Sequence, residues 1–315
     1  LGEAPLVLLS DPVLAPMEPI LAPNYRVRRL WDEDPAALLA EAGGEIGAIL
    51  HAGDVVLDPA FIEAMPNLGL IACVSAGYDG VDVARARAHG VEVTHAPGLN
   101  AADAADHALG LIIAAWRGII EGDALVRSGA WGRGQNRAPC GSLTGKTVGI
   151  VGLGAIGEGV ARRVAACGMK PMWWGPRDKP DAAWPRAQSA LALAQASDIL
   201  VVAARADAES RGLIDAAVLD ALGPRGLLVN VARGSVVDED ALIAALKDGR
   251  LGMAALDVFQ KEPTPGERWE GVPNVIFTPH SAGKAAETLM KLVVQTLENL
   301  RLHFAGEPVL NPVPR

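Results

Sequence analysis

One eleven-residue stretch constrains this chain more than any other. Thr147-Val148-Gly149-Ile150-Val151-Gly152-Leu153-Gly154-Ala155-Ile156-Gly157 reads as an apolar strand, a G-x-G-x-x-G turn and the opening of a helix. The glycine pattern alone is weak; flanked by a strand and a helix it points to a turn that holds a dinucleotide pyrophosphate. Gly152 permits the tight turn, Gly154 lets the backbone approach the anion, and Gly157 lets the helix pack on the strand. The first N–H groups of the helix then face the phosphates. The competing reading is a glycine-rich turn with no cofactor. The motif begins near residue 148 of 315, so a separate α/β unit must occupy roughly the first 98 residues.

Short apolar runs alternate with helical stretches on both sides of the motif. The runs are 6–9, 46–50, 70–74, 148–151, 199–203, 227–231, 254–258 and 275–277, with Met172-Trp173-Trp174 as the strand after the glycine turn. They are apolar on both faces, as parallel strands covered by helices must be. The rhythm predicts an α/β protein of two doubly wound lobes. One helix is expected after the N-cap Asp238, stopping at Gly249. A longer apolar one is expected from Ala101 to about Glu121, buried between domains or subunits, and a last one from about Ala285 to His303. The final helix is expected to pack back on the first unit. That sets a substrate domain of 1–98 and 284–315 around a cofactor domain of 99–283. Gly98 and Gly283 are candidate pivots, and ligand is expected in the cleft between the lobes.

Charge and cysteine usage narrow the function. The chain has 28 basic and 37 acidic residues, a net charge of −9, which argues against a nucleic-acid partner. There is no polybasic anchor, no signal-peptide pattern and no apolar run long enough to span a bilayer, so no membrane partner is expected. Three cysteines without a C-x-x-C spacing argue against a disulfide scaffold or structural zinc. A reducing cytoplasm is the simplest location, and no metal is expected.

The ends of the strands carry the chemistry, since α/β sites are built there. After Met172-Trp173-Trp174 comes Gly175-Pro176-Arg177-Asp178-Lys179. A site that prefers NAD places a carboxylate at this strand end to bond the ribose hydroxyls. Gly175 stands there, with Arg177 two positions on, which favours NADP(H) while leaving NAD(H) possible. Asp178 is a competing acid, separated from the strand by the Pro-Arg turn. Three polar residues follow later strands: Arg233 after 228–232, Glu262 before Pro263, and His280 after 275–279. Each alone has an ordinary surface explanation. Together, downstream of a dinucleotide turn, they form a candidate catalytic set.

Here the sequence resembles a family, the D-isomer-specific 2-hydroxyacid dehydrogenases, over nearly its whole length. The matching pieces are Ser75-Ala76-Gly77-Tyr78-Asp79, the turn at 152–157, Asn230-Val231-Ala232-Arg233-Gly234, Leu256-Asp257-Val258-Phe259 with Glu262-Pro263, and Thr278-Pro279-His280-Ser281-Ala282-Gly283. The loop Gly175-Pro176-Arg177 is most similar to the NADPH-preferring glyoxylate and hydroxypyruvate reductases of that family. The resemblance implies a Rossmann cofactor domain inserted in a flavodoxin-like substrate domain, and a homodimer built on the cofactor domains.

It also implies roles. His280 is the expected proton donor to the substrate carbonyl, a task for a group that titrates near neutrality. Glu262 orients it and favours its charged form. Arg233 grips the substrate carboxylate and polarises the carbonyl. The N–H groups of Ala76 and Gly77 hold the carboxylate, and Asp257 contacts the nicotinamide amide. The implied cofactor set is Gly152, Gly154, Ala155, Ile156, Gly157, Gly175, Arg177, Arg205, Val231, Ala232, Arg233, Asp257, His280 and Ala282. Arg205 stands where relatives usually have proline; it is read either as a second holder of the 2′-phosphate or as a partner of Asp207 or Glu209. Asp103 and His107, at i, i+4, are read as a structural pair, His51 as a residue that lines or, more often in such places, only borders the cleft, Trp131 as an aromatic of the partner's active site or as core or interface packing, and Cys73 as core. The expected activity is NADPH-dependent reduction of small 2-keto acids. The alternatives are another substrate on the same fold, such as phosphite or a bulkier keto acid, or a non-enzymatic nucleotide-sensing protein like the co-repressors of this fold. Formate enzymes of this fold carry glutamine beside the histidine, so Glu262 speaks against that branch.

Overall fold

The computed structural model describes residues 3–314. The chain divides into two compact units, Leu1–Asn100 with Ala285–Arg315, and Ala101–Lys284.

The first unit is built on a parallel sheet of five strands: β1 (Leu6–Leu9), β2 (Arg26–Arg29), β3 (Ile46–His51), β4 (Leu70–Cys73) and β5 (Glu92–Thr94). Their order, β2-β1-β3-β4-β5, is flavodoxin-like. Alternating side chains fill both faces: Leu8, Ile49, Ile71 and Val93 on one, Val7, Leu9, Ala48, Leu50 and Ala72 on the other. Leu300, from the returning helix Ala286–Phe304, packs into the second cluster. The pattern of apolar runs predicts neither edge strand, β2 or β5. One is Arg-Val-Arg-Arg and the other only three residues long, so neither shows the two-sided apolar run of a central strand.

The second unit carries β6 (Thr147–Val151), β7 (Lys170–Trp174), β8 (Ile199–Val202), β9 (Leu227–Asn230), β10 (Met253–Leu256) and β11 (Val275–Phe277), in the order β11-β10-β9-β8-β6-β7. A one-residue parallel bridge from Arg186 to Trp173 extends the sheet beyond β7. Counted with that bridge, the order is that of a Rossmann fold with one further strand. Val148, Ile150, Val201 and Val229 pack on Ala104, Ala108 and Ile112 of the helix Ala101–Arg117; Leu200, Val202, Leu228 and Leu256 pack on Leu219, Leu242 and Leu246. Each such large aliphatic side chain contributes about 1.5–3 kcal/mol. A surface pair such as Arg162–Glu158, 71% and 47% exposed, contributes about 0–1. Burial, not ion pairing, therefore holds this sheet together.

The long helix departs from expectation. It stops at Arg117, where Gly118 takes the left-handed φ of 55°, and a second helix, Ile119–Arg127, follows. Glycine adopts this conformation without the Cβ clash that other residues suffer. The first helix buries its apolar face in the core of its own unit; the second buries no residue and leaves Ile119, Ile120 and Val126 exposed. Among the described residues no helix is long and apolar enough to cross a membrane.

Candidate active site

The glycine turn joins β6 to the helix Ala155–Ala166. Gly152 has φ of 92°, and a Cβ there would lie 2.6 Å from the Ala204 Cα. At Gly157 a Cβ would lie 2.0 Å from the Gly152 carbonyl oxygen, so this glycine is demanded by packing. Gly154 is different: a Cβ there meets nothing within 4 Å, and no side chain caps the helix that it starts. An open approach to uncapped N–H groups fits a pyrophosphate. Gly154→Ala is therefore expected to leave the melting temperature of the unliganded protein within a few degrees while weakening dinucleotide affinity about tenfold or more. Gly157→Ala should lower the melting temperature itself. Thermal melts and a fluorescence titration with dinucleotide separate the two, and equal melting losses would remove the distinction.

The loop after β7 lies beside this turn. A Cβ at Gly175 would be 4.0 Å from the Gly152 Cα and only in ordinary contact with Trp173, so an acidic residue could be accommodated there. Arg177 is exposed. Two cations that the sequence reading passed over hold the loop. Lys179 Nζ donates to the Leu153 carbonyl, and Arg186 donates to the Gly175 carbonyl (2.8 Å) and to Asp178 (3.0 Å). Arg205 is exposed and near enough for its charge to act on Asp207, whose carboxyl is held low first by the Ser210 N–H.

The segment 278–282 after β11 is organised by one buried carboxylate. Asp257, its side chain 1% exposed, accepts from Thr278 Oγ1 (2.6 Å), the Ser281 N–H (2.9 Å) and the Ala282 N–H (2.9 Å), while its own carbonyl accepts the His280 N–H (2.8 Å). The expectation placed Asp257 against the nicotinamide amide; in the structure both of its carboxylate oxygens accept hydrogen bonds from this segment. Thr278 has one hydroxyl proton and donates it to an acceptor-only carboxylate. Its oxygen must therefore accept from His107 Nε2, 3.0 Å away. His107 thus reaches across to Thr278, a contact the Asp103–His107 reading did not anticipate. This network holds His280 at φ 48°, an uncommon conformation for a residue with a Cβ.

From that backbone, His280 Nδ1 meets Glu262 Oε2 at 2.6 Å, with the two side chains 28% and 30% exposed. Glu262 Oε1 also accepts the Phe259 N–H (2.9 Å). Burial pushes the Glu262 carboxyl up, but the hydrogen bonds from His280 and Phe259 and the charges of His280 and Arg233 outweigh it, leaving it below the usual range. Arg233 is thus close enough for its charge to be felt at Glu262. The loops that carry the two are pressed together: a Cβ at Gly234 would lie 1.8 Å from the Phe259 carbonyl carbon, so the residue after Arg233 must be glycine. Buried Asn230 closes the turn after β9, bonding the Ala232 N–H and the Arg233 carbonyl at 3.0 Å each. Buried Glu239 holds the Gln260 N–H at 2.9 Å. Val231, Ala232 and Ala282 bury their side chains in the cores and leave only backbone for a ligand.

In the first unit, the carbonyls around Ala76 and Gly77 are occupied. His95 Nδ1 donates to the Ala76 carbonyl (2.9 Å), and Ser75 Oγ to the Gly77 carbonyl (2.7 Å). A trans peptide directs its N–H opposite to its C=O, so His95 sets the direction of the Gly77 N–H. Among the described residues no hydrogen bond takes the N–H of Ala76 or Gly77. His51 is buried, bonded to Ser10 Oγ and the Val55 carbonyl at 2.8 Å each, and burial lowers its pKa. It reads as a structural residue. Cys73 is buried in β4 with its thiol pushed up to about 12, as suits an inert core cysteine.

Residues 109–282 match the family model "D-isomer specific 2-hydroxyacid dehydrogenase, NAD binding domain". The chain belongs to the D-isomer specific 2-hydroxyacid dehydrogenases. A glyoxylate/hydroxypyruvate reductase A of Arabidopsis thaliana is 37% identical over 308 residues, 98% of each chain. A hydroxyphenylpyruvate reductase of Plectranthus scutellarioides is 39% identical over 99% of each. An NADPH-dependent glyoxylate/hydroxypyruvate reductase of Sinorhizobium meliloti, solved with NADP and malonate, superposes with a TM-score of 0.91 at 33% identity, over 99% of this chain and 97% of that one. The protein is thus an oxidoreductase of the 2-hydroxyacid dehydrogenase family, with a Rossmann domain set into a flavodoxin-like one.

Proposed function

We propose that this dehydrogenase reduces small 2-keto acids, glyoxylate and hydroxypyruvate first among them, with NADPH as the preferred reductant. The observation that carries the reading is the 2.6 Å His280–Glu262 hydrogen bond, with Arg233 acting on the same carboxylate at the strand ends of a dinucleotide-binding sheet. When bound, NADPH supplies the hydride. Glu262, held low and therefore ionised near neutrality, can only accept, so it keeps a proton on His280 Nδ1. A proton on Nε2 then requires the imidazolium, the form that can protonate the substrate oxygen. Arg233 offers a planar, permanently charged fork to the substrate carboxylate. The Ala76 and Gly77 N–H groups of the first unit, which no hydrogen bond among the described residues takes, are proposed as further carboxylate donors. Assays of a dozen 2-keto acids with NADPH and NADH test this. Turnover confined to bulky keto acids would favour the second reading, to which the hydroxyphenylpyruvate reductase likeness lends support; peptide binding without turnover would favour the non-enzymatic one.

The cofactor preference rests on Gly175 with Arg177. Since Gly175 has room for a side chain, Gly175→Asp is expected to shift the NADPH-to-NADH ratio of kcat/KM toward NADH by about tenfold or more. Unchanged selectivity would mean that the ribose lies elsewhere. Arg205 remains a candidate second contact to the 2′-phosphate. A homodimer is proposed on the exposed face of Ile119, Ile120, Val126 and Trp131, each more than half exposed. Light scattering should give twice the 32.7 kDa chain mass, and a monomer at micromolar concentration would refute it. Three free cysteines suit a reducing compartment such as the cytoplasm.

A further inference from the structure

We infer that Arg186 sets cofactor selectivity by cancelling the charge of Asp178; this rests on the reading of the site as one for NADP(H). The loop 175–179 contains one carboxylate, Asp178, four residues past Trp174, where β7 ends. Left alone, it would repel a 2′-phosphate in the way an acidic strand-end residue does. It is not left alone. Arg186 reaches the sheet through its one-residue bridge with Trp173, and its guanidinium lies 5.3 Å from the Trp173 ring centroid. From there Nη2 holds the Gly175 carbonyl at 2.8 Å and Nη1 meets Asp178 Oδ1 at 3.0 Å.

The two groups differ in freedom. Arg186 is 36% exposed and fixed by a ring, a carbonyl and a β-bridge, whereas the Asp178 side chain is 76% exposed. As a stability element so exposed a pair is weak. Its consequence is one of charge: with Arg177 and Lys179 beside it and Asp178 neutralised, the loop presents net positive charge to whatever binds next to the glycine turn. A planar fork suits this task, since it can bond the carbonyl and the carboxylate at once.

The test uses the whole protein and needs no turnover. Dissociation constants for adenosine 2′,5′-bisphosphate and for 5′-AMP are measured by calorimetry on wild type, Arg186→Met, Asp178→Asn and the double variant. Wild type should prefer the bisphosphate. Arg186→Met should lose about five- to tenfold of that preference, Asp178→Asn should keep or raise it, and the double variant should return to within about twofold of wild type. Arg186→Lys, which keeps the charge and guards against a folding failure of the methionine variant, should retain most of it. An unchanged Arg186→Met, or a double variant as impaired as the single, overturns the inference while leaving the NADP(H) reading intact. Equal affinity of the wild type for both ligands overturns that reading instead.

Discussion

His280→Ala should lower kcat for glyoxylate reduction by about 10²- to 10⁴-fold, the range that a positioned proton donor contributes, while the dissociation constant for NADPH stays within about threefold. The asymmetry follows from where the residue sits. Its backbone N–H is held by the Asp257 carbonyl and the segment on either side by the Asp257 carboxylate, so removing the imidazole leaves the loop fastened. An equal loss of rate and cofactor affinity would mark His280 as structural. The pH profile gives a second check. Glu262 is held below the usual carboxylate range, so it stays an anion as pH falls through that range and is protonated only below it. kcat/KM should therefore keep the contribution of this charge down through the usual carboxylate range and lose it only at lower pH. Glu262→Gln removes the charge on the oxygen that meets His280 Nδ1 and should lower kcat at every pH. An unchanged kcat would exclude Glu262 from the proton's control.

Arg233→Ala should damage both terms: a higher KM for the keto acid and a lower kcat, together about 10³-fold in kcat/KM. Truncating one partner of a hydrogen-bonded charge pair costs about 2–5 kcal/mol, and a thousandfold corresponds to about 4. The fold should survive, because Asn230 fixes the Arg233 backbone through its carbonyl and Gly234 packs on Phe259 without help from the guanidinium. Arg233→Lys should recover only part of the loss, since an ammonium cannot grip a carboxylate with two parallel bonds. Steady-state kinetics with glyoxylate decide the matter; near-wild-type kcat/KM in Arg233→Ala would remove the residue from the mechanism.

The central strands and the strand-end residues were legible because their physics is local. A short, largely apolar run announces a strand covered on both faces; Arg233 and His280 each stand three residues beyond one, and Glu262 six residues beyond Leu256. The edge strand β2 was hidden because three of its four residues are arginines. The groups that hold the site were hidden for another reason. Asn230, Glu239 and Asp257 are polar types usually found at the surface, and nothing in a linear reading reveals that each is buried against backbone N–H groups. Asn230 carried a usable clue, since Asn two residues before a turn N–H forms a local Asx contact. His107 carried none: its partner lies 171 positions downstream. Arg186, eleven residues from Gly175, resembled any loop arginine until the chain folded back beside Trp173.

The Thr278 hydroxyl has only one proton to give, and Asp257 takes it. The imidazole of His107 is therefore obliged to carry hydrogen on Nε2, the atom that faces Thr278. Its nitrogen resonances consequently form a built-in spectroscopic gauge on the long helix Ala101–Arg117, one that reports whether the loop bearing His280 is latched, without a label on His280 itself.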